Sequence, residues 1–257
     1  MTNRTREKSL EKRTPDDAQP LPEGQEAGRP VRSASLIGGA ALMLMAALAG
    51  FGNVVVVDGL VTSGDAARTA GDIMASEGVF RLGVATLYLV VVLDVVVAWA
   101  LLRVFAPVST DLSRLAAWFR LAYAGVLTVA VSQLAGVPGL LNDDGYTAAF
   151  GTEQLQALAL QKTDAYNDIW MAGLILFGVH LMILGYLAYK SGYVPRFLGV
   201  LLVIAGVGYA FDSFVTVFSQ GSPFAISQIT FLGEFLLGLW LLFRGRHLSS
   251  RTVSHGL

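Results

Sequence analysis

Residues Val79–Val104 read VFRLGVATLYLVVVLDVVVAWALLRV, and this stretch decides the fold. Between Arg81 and Arg103 the only charged residue is Asp94; everything around it is apolar or weakly polar. An α-helix rises about 1.5 Å per residue, so about 20 such residues cross the ~30 Å hydrocarbon core of a bilayer. A membrane-spanning strand would instead be a short segment alternating apolar and polar residues. The stretch therefore predicts a transmembrane helix with a carboxylate inside it.

Five further runs have the same character: Ser35–Val57, Leu115–Val137, Ile169–Tyr189, Phe197–Phe218 and Phe224–Phe243. Together they predict an all-α integral membrane bundle of six transmembrane helices. A hydrophobic fraction of 54%, only 14% charged residues and a mean hydropathy of +0.59 exceed what a water-soluble domain of 257 residues carries. Residues 1–33 hold seven of the 18 Lys/Arg and six of the 19 Asp/Glu, with four prolines and few large apolar residues. They are expected to form a disordered charged tail. The six-helix domain then occupies 34–245, and 246–257 form a short C-terminal tail. The first run is too long for a signal-peptide core and is expected to remain in the mature protein.

The joints agree with helices. Lys190, Gly192 and Pro195 supply, in order, a basic last turn, a left-handed cap and a helix-starting proline. The short Ser219–Pro223 connection predicts that the last two helices are antiparallel neighbours. Basic residues flank the runs mostly on one side, among them Arg32, Arg103, Arg114, Lys190, Arg196 and Arg244, against Arg68 and Lys162 on the other. By the positive-inside rule both termini are expected in the cytoplasm and the protein in the plasma membrane. Gly64–Ser76 and Thr152–Thr163 have helical composition and are expected either to lie along the interface, with Tyr166 and Trp170 near the headgroups, or to be solvated extensions of the membrane helices.

Six ionisable residues lie within the runs: Arg81, Asp94, Arg120, His180, Asp212 and Glu234. A charge in the bilayer costs several kcal/mol unless it finds a partner or water, so these residues are the candidate intramembrane polar network. Counting helical rise from each helix end pairs Arg81 with Asp212 near the outer surface, unless Arg81 reaches the headgroups by itself, and Asp94 with Arg120 in the inner half. His180 and Glu234 form a third pair at mid-membrane. Ala46 with Gly50, and Gly199, Gly206 and Gly208, are small residues suited to close helix contact. Phe80-Arg81-Leu82 is echoed by Phe119-Arg120-Leu121, too short a match to establish a repeat.

Several chemistries find no support. The chain has no cysteine, hence no disulfide or thiolate metal site. It has no zinc, P-loop, dinucleotide or nucleophile-elbow signature, and His180 is the sole histidine in the runs where a membrane haem usually needs two ligands. No cofactor or metal is expected, and a net charge near −1 argues against nucleic acid as a partner. The lipid bilayer is the partner the sequence names.

Beyond single residues, a combined pattern carries a resemblance. It comprises Gly64-Asp65-Ala66-Ala67-Arg68, Phe80-Arg81-Leu82-Gly83, Leu93-Asp94-Val95-Val96, Phe119-Arg120-Leu121, Phe177-Gly178-Val179-His180 and Lys190-Ser191-Gly192-Tyr193-Val194-Pro195-Arg196, followed by Gly208-Tyr209, Asp212 and Glu234. From about Ser35 to Gly245 the chain resembles a bacterial family of multi-pass membrane proteins, domain of unknown function 4386. The resemblance implies a helical membrane bundle and assigns no catalytic or binding residues. Two functional readings follow. One is a non-enzymatic accessory, sensor or scaffold protein with buried polar ties. The other is a small-solute or proton-coupled transporter using Asp94, His180 and Glu234. A membrane-embedded enzyme would rest on His180 and Glu234 as an acid–base pair alone.

Overall fold

The computed structural model describes residues 28–219 and 232–245, and among them every regular element is helical. Helix α1 (Gly28–Ala49) runs on through a π-helical segment, Gly50–Val57, and a final turn, Asp58–Leu60. The other helices are α2 (Ala66–Ala75), α3 (Glu77–Phe105), α4 (Thr110–Ala135), α5 (Val137–Asn142), α6 (Asp144–Phe150), α7 (Thr152–Lys190), α8 (Arg196–Ser219) and α9 (Leu232–Phe243). Five stretches are long and apolar enough to cross a membrane: Val31–Leu60, Glu77–Phe105, Thr110–Asn142, Thr152–Lys190 and Arg196–Val215. Leu232–Phe243 is apolar but only 12 residues long, and the remainder of the sixth expected run lies outside the described residues. So do residues 220–223 of the α8–α9 connection, the C-terminal tail and most of the expected N-terminal tail. Residues 28–33 of that tail already belong to α1.

The long helices form a closed ring in which neighbours pack in the order α1, α3, α4, α7, α8, α9 and back to α1. Their outward faces are apolar. On α8 the exposed residues Phe197, Val200, Ile204, Val207, Phe211 and Phe214 recur every three or four positions, a stripe along one side of the helix. Such a surface suits hydrocarbon rather than water.

Glycines set the tightest contact. Gly178 on α7 lies against Gly206 on α8, and seven residues on Gly185 lies against Gly199. A Cβ built on Gly185 would stand 2.6 Å from the Gly199 carbonyl oxygen, and one on Gly178 2.6 Å from that of Gly206. Backbones that close require residues without side chains. The α1–α9 contact uses the same device at Gly39 and Gly238, beside a hydrogen bond from Ser35 Oγ to the Leu241 carbonyl at 3.1 Å. Gly50, by contrast, meets nothing, so Ala46 and Gly50 are not a packing pair.

The connection after α7 forms as its residues require. Gly192 takes φ +70, Ser191 Oγ donates to the Ala188 carbonyl and accepts from Val194 N–H, and Arg196 starts α8 directly after Pro195. Thr152–Thr163 takes the second of its expected forms, an extension of a membrane helix. It is the first third of α7, because no glycine or proline interrupts the sequence before Gly173. At 39 residues α7 is about 58 Å long, nearly twice a hydrocarbon core. Its projecting part buries Leu155, Ala159 and Thr163 and packs against α2, which buries Thr69, Ala70 and Ile73, and against α5 and α6.

Candidate functional site

Arg120 is the centre of the bundle, 0% exposed. A guanidinium has five N–H donors and no acceptor. The surroundings engage all three nitrogens. Nε donates to Asp94 Oδ1 at 2.9 Å, and Nη2 reaches the same oxygen at 2.8 Å. Nη1 donates to Glu234 Oε1 at 2.6 Å and lies 3.2 Å from His180 Nε2, while Nη2 also faces Met45 Sδ at 3.8 Å. The Phe177 ring covers the guanidinium, with Cζ 5.3 Å from its centroid. Arg120 on α4 thereby joins α1, α3, α7 and α9 at one point.

The tautomer of His180 follows from its neighbours. Nδ1 lies 2.8 Å from the Ala116 carbonyl oxygen, which only accepts, and Nε2 faces Arg120, which only donates. Nδ1 therefore carries the proton and Nε2 offers its lone pair. His180 is 1% exposed, as is Asp94, and Glu234 is 12% exposed.

Four of the six ionisable residues thus meet: Asp94, Arg120, His180 and Glu234. The arrangement differs from separate pairs at separate depths. His180 and Glu234 each contact Arg120, because the long arginine side chain reaches across the depth difference that rise along the helices implies. Arg81 is not partnered with Asp212. It is exposed and donates to Glu77, one turn back on α3, at 2.7 Å. A partner at i−4 on the same helix requires no second helix to approach. Asp212, on α8, is 4% exposed. The Phe80-Arg81-Leu82 echo joins an exposed arginine to a buried one, so the two segments are not structurally equivalent.

Against this cluster lies a cavity of about 140 Å³, on the axis of the helix ring. All six ring helices line it: Met45 and Ala46 from α1, Asp94 from α3, Tyr123 from α4, Trp170 and Phe177 from α7, Tyr209 from α8, and Glu234 from α9. One water needs roughly 10–15 Å³ of such space, so the cavity has room for a small solute. Four aromatic side chains form a continuous wall. Trp170 Nε1 donates to Tyr123 Oη at 3.0 Å, the Tyr123 and Phe177 rings are 4.8 Å apart, and Phe177 meets Tyr209 edge-on at 5.4 Å.

Tyr166 and Trp170, expected near the headgroups, present their side chains to the bundle. Tyr166 is buried, stacks on Trp170 and donates its hydroxyl proton to Asn53 Oδ1 in the π-helical segment. Asn53 Nδ2 donates to the Ala49 carbonyl at 3.2 Å within that segment, and Ala49 lines the cavity. The aromatic wall is the part of the site that counting charges misses. A signal was present: Tyr123, Phe177 and Tyr209 each stand three residues from an intramembrane ionisable residue, Arg120, His180 and Asp212, and so share its helix face.

An all-helical ring with apolar outer faces, long apolar helices and a buried charged centre defines the class of helical proteins built to span membranes several times. Within it, the chain belongs to the family described as "Domain of unknown function (DUF4386)", whose model matches residues 37–245. It is also 36% identical over 163 residues to an uncharacterized protein of Archaeoglobus fulgidus, a match covering 63% of this chain and 83% of the archaeal one. That relative places similar sequences outside bacteria. No solved structure matches the chain.

Proposed function

We propose that the protein is a six-helix, non-enzymatic protein of the plasma membrane that binds a small solute in its axial cavity. The observation that carries this reading is shared use: Asp94 and Glu234, which hold Arg120, also line the cavity. A polar network serving packing alone has no need of a void beside it, since an empty space forfeits contacts on every side. The sixth run, Phe224–Phe243, is long enough in sequence for a further crossing, and the basic flanks of the runs favour both termini in the cytoplasm. Carrier and sensor activities both follow from such a site.

Filling the cavity tests the proposal. Ala46→Phe places a ring in the void while leaving the Arg120 contacts intact. Screened by thermal unfolding against small cationic, neutral and anionic solutes, the wild type should show a saturable rise in midpoint with at least one class. Ala46→Phe should fold and lose that rise. A wild type that responds to no solute would remove the solute reading. Liposome flux of a solute that binds then separates a carrier from a sensor.

A second reading, in which the network only ties helices together, is favoured by one fact: every Arg120 nitrogen already has a protein partner. In that case solute binding is absent and Ala46→Phe simply stabilises the protein.

A further inference from the structure

Building on the solute-binding reading, we infer that the cavity takes a small organic ammonium ion. Three independent features point to this chemistry. The first is the charge count of the cluster. One guanidinium faces two carboxylates, so with both ionised the buried cluster carries one negative charge in excess. Desolvated charge of one sign is costly, and a cation in the adjoining cavity compensates it.

The second feature is free acceptor capacity. Arg120 uses only Oδ1 of Asp94 and only Oε1 of Glu234. Among the described residues, no hydrogen bond reaches Oδ2 of Asp94 or Oε2 of Glu234, and both residues line the cavity. An ammonium N–H, or the polarised methyl groups of a quaternary nitrogen, would meet these oxygens.

The third is the wall opposite. Tyr123, Trp170, Phe177 and Tyr209 present aromatic surface to the same space, and cations bind aromatic faces by electrostatic attraction to the ring quadrupole. The described lining contains no Lys, Arg or His. An anion would therefore meet two carboxylates and no counter-charge. A bare divalent metal fits less well: Ca²⁺ and Mg²⁺ ask for about six or more oxygen ligands and zinc for about three or four protein ligands, while only Asp94 and Glu234 bring carboxylates to the described lining. A positively charged nitrogen carrying an apolar body satisfies both halves of the cavity at once.

The test uses the full-length protein in lipid nanodiscs and three cations: choline, tetraethylammonium and benzyltrimethylammonium. The probes for comparison are 3,3-dimethyl-1-butanol, the uncharged isostere of choline, and benzoate. At least one cation should raise the unfolding midpoint saturably, and choline should bind at least ten-fold more tightly than its isostere if choline is that cation. Glu234→Gln should weaken the tightest cation at least ten-fold. Trp170→Leu, outside the ion cluster, should do the same and remains informative if Glu234→Gln fails to fold. If the isostere or benzoate binds while no cation does, or if both variants bind the cation as wild type does, the ammonium inference falls and the solute site stands. If nothing in this panel or the wider solute screen binds, both fall together.

Discussion

Arg120 has five donors to satisfy in a place without bulk water, and an unpartnered polar group there costs several kcal/mol. Its partners come from Asp94, Glu234, His180 and Met45, so removal of the guanidinium strands two carboxylates. Arg120→Met is expected to destabilise the protein by about 3–5 kcal/mol, measured as reversible unfolding in mixed micelles. Adding Asp94→Leu should recover part of the loss, and the cycle between these two positions should show a coupling of about 1–3 kcal/mol; additive losses would deny the contact. Arg120→Lys should not restore stability, because one ammonium cannot reproduce a planar fork reaching Asp94 and Glu234 in different directions. All four members of this cluster were legible in the sequence as charges too deep to leave alone. Their convergence was not, because depth along a helix says nothing about rotation around it. The aromatic wall escaped for a different reason: in a chain with 54% hydrophobic residues, Tyr123 or Phe177 looks like any other core residue.

Among the elements, the α7–α8 pair depends most visibly on a few atoms. Gly185→Ala would push a Cβ into the Gly199 carbonyl at 2.6 Å, and backbone cannot step aside as a flexible side chain does. The expected cost is about 1–3 kcal/mol. Gly71→Ala on α2, where nothing lies within 4 Å, is the matched control and should gain about 0.5–1 kcal/mol from helix propensity. Thermal midpoints of the two variants that moved the same way would contradict this contact. All six runs were read from hydropathy, and five of them are helices long and apolar enough to cross a membrane, because a bilayer imposes one length on every crossing. The 39-residue reach of α7 was harder to see, since a change in composition at Thr163 looked like a change of element. Without a helix-breaking residue there, the backbone hydrogen bonds simply continue.

At the scale of the whole molecule, the absence of cysteine makes the topology directly testable. With both termini in the cytoplasm, Asp144→Cys on α6 should react with a membrane-impermeant maleimide in intact cells. Asp111→Cys, at the start of α4, should react only after permeabilisation. The reverse pattern would invert the protein, and equal labelling of both sites would deny a fixed orientation. The ring itself closes only where α1 meets α9, the first described helix against the last. That closure orders the making of the protein. Asp94 and Arg120 lie on the consecutive helices α3 and α4, so both partners of this ion pair are made early. Glu234 comes off the ribosome more than a hundred residues after Arg120. Until it arrives the nascent bundle lacks one wall, so the cavity comes into being only after α9 has been made.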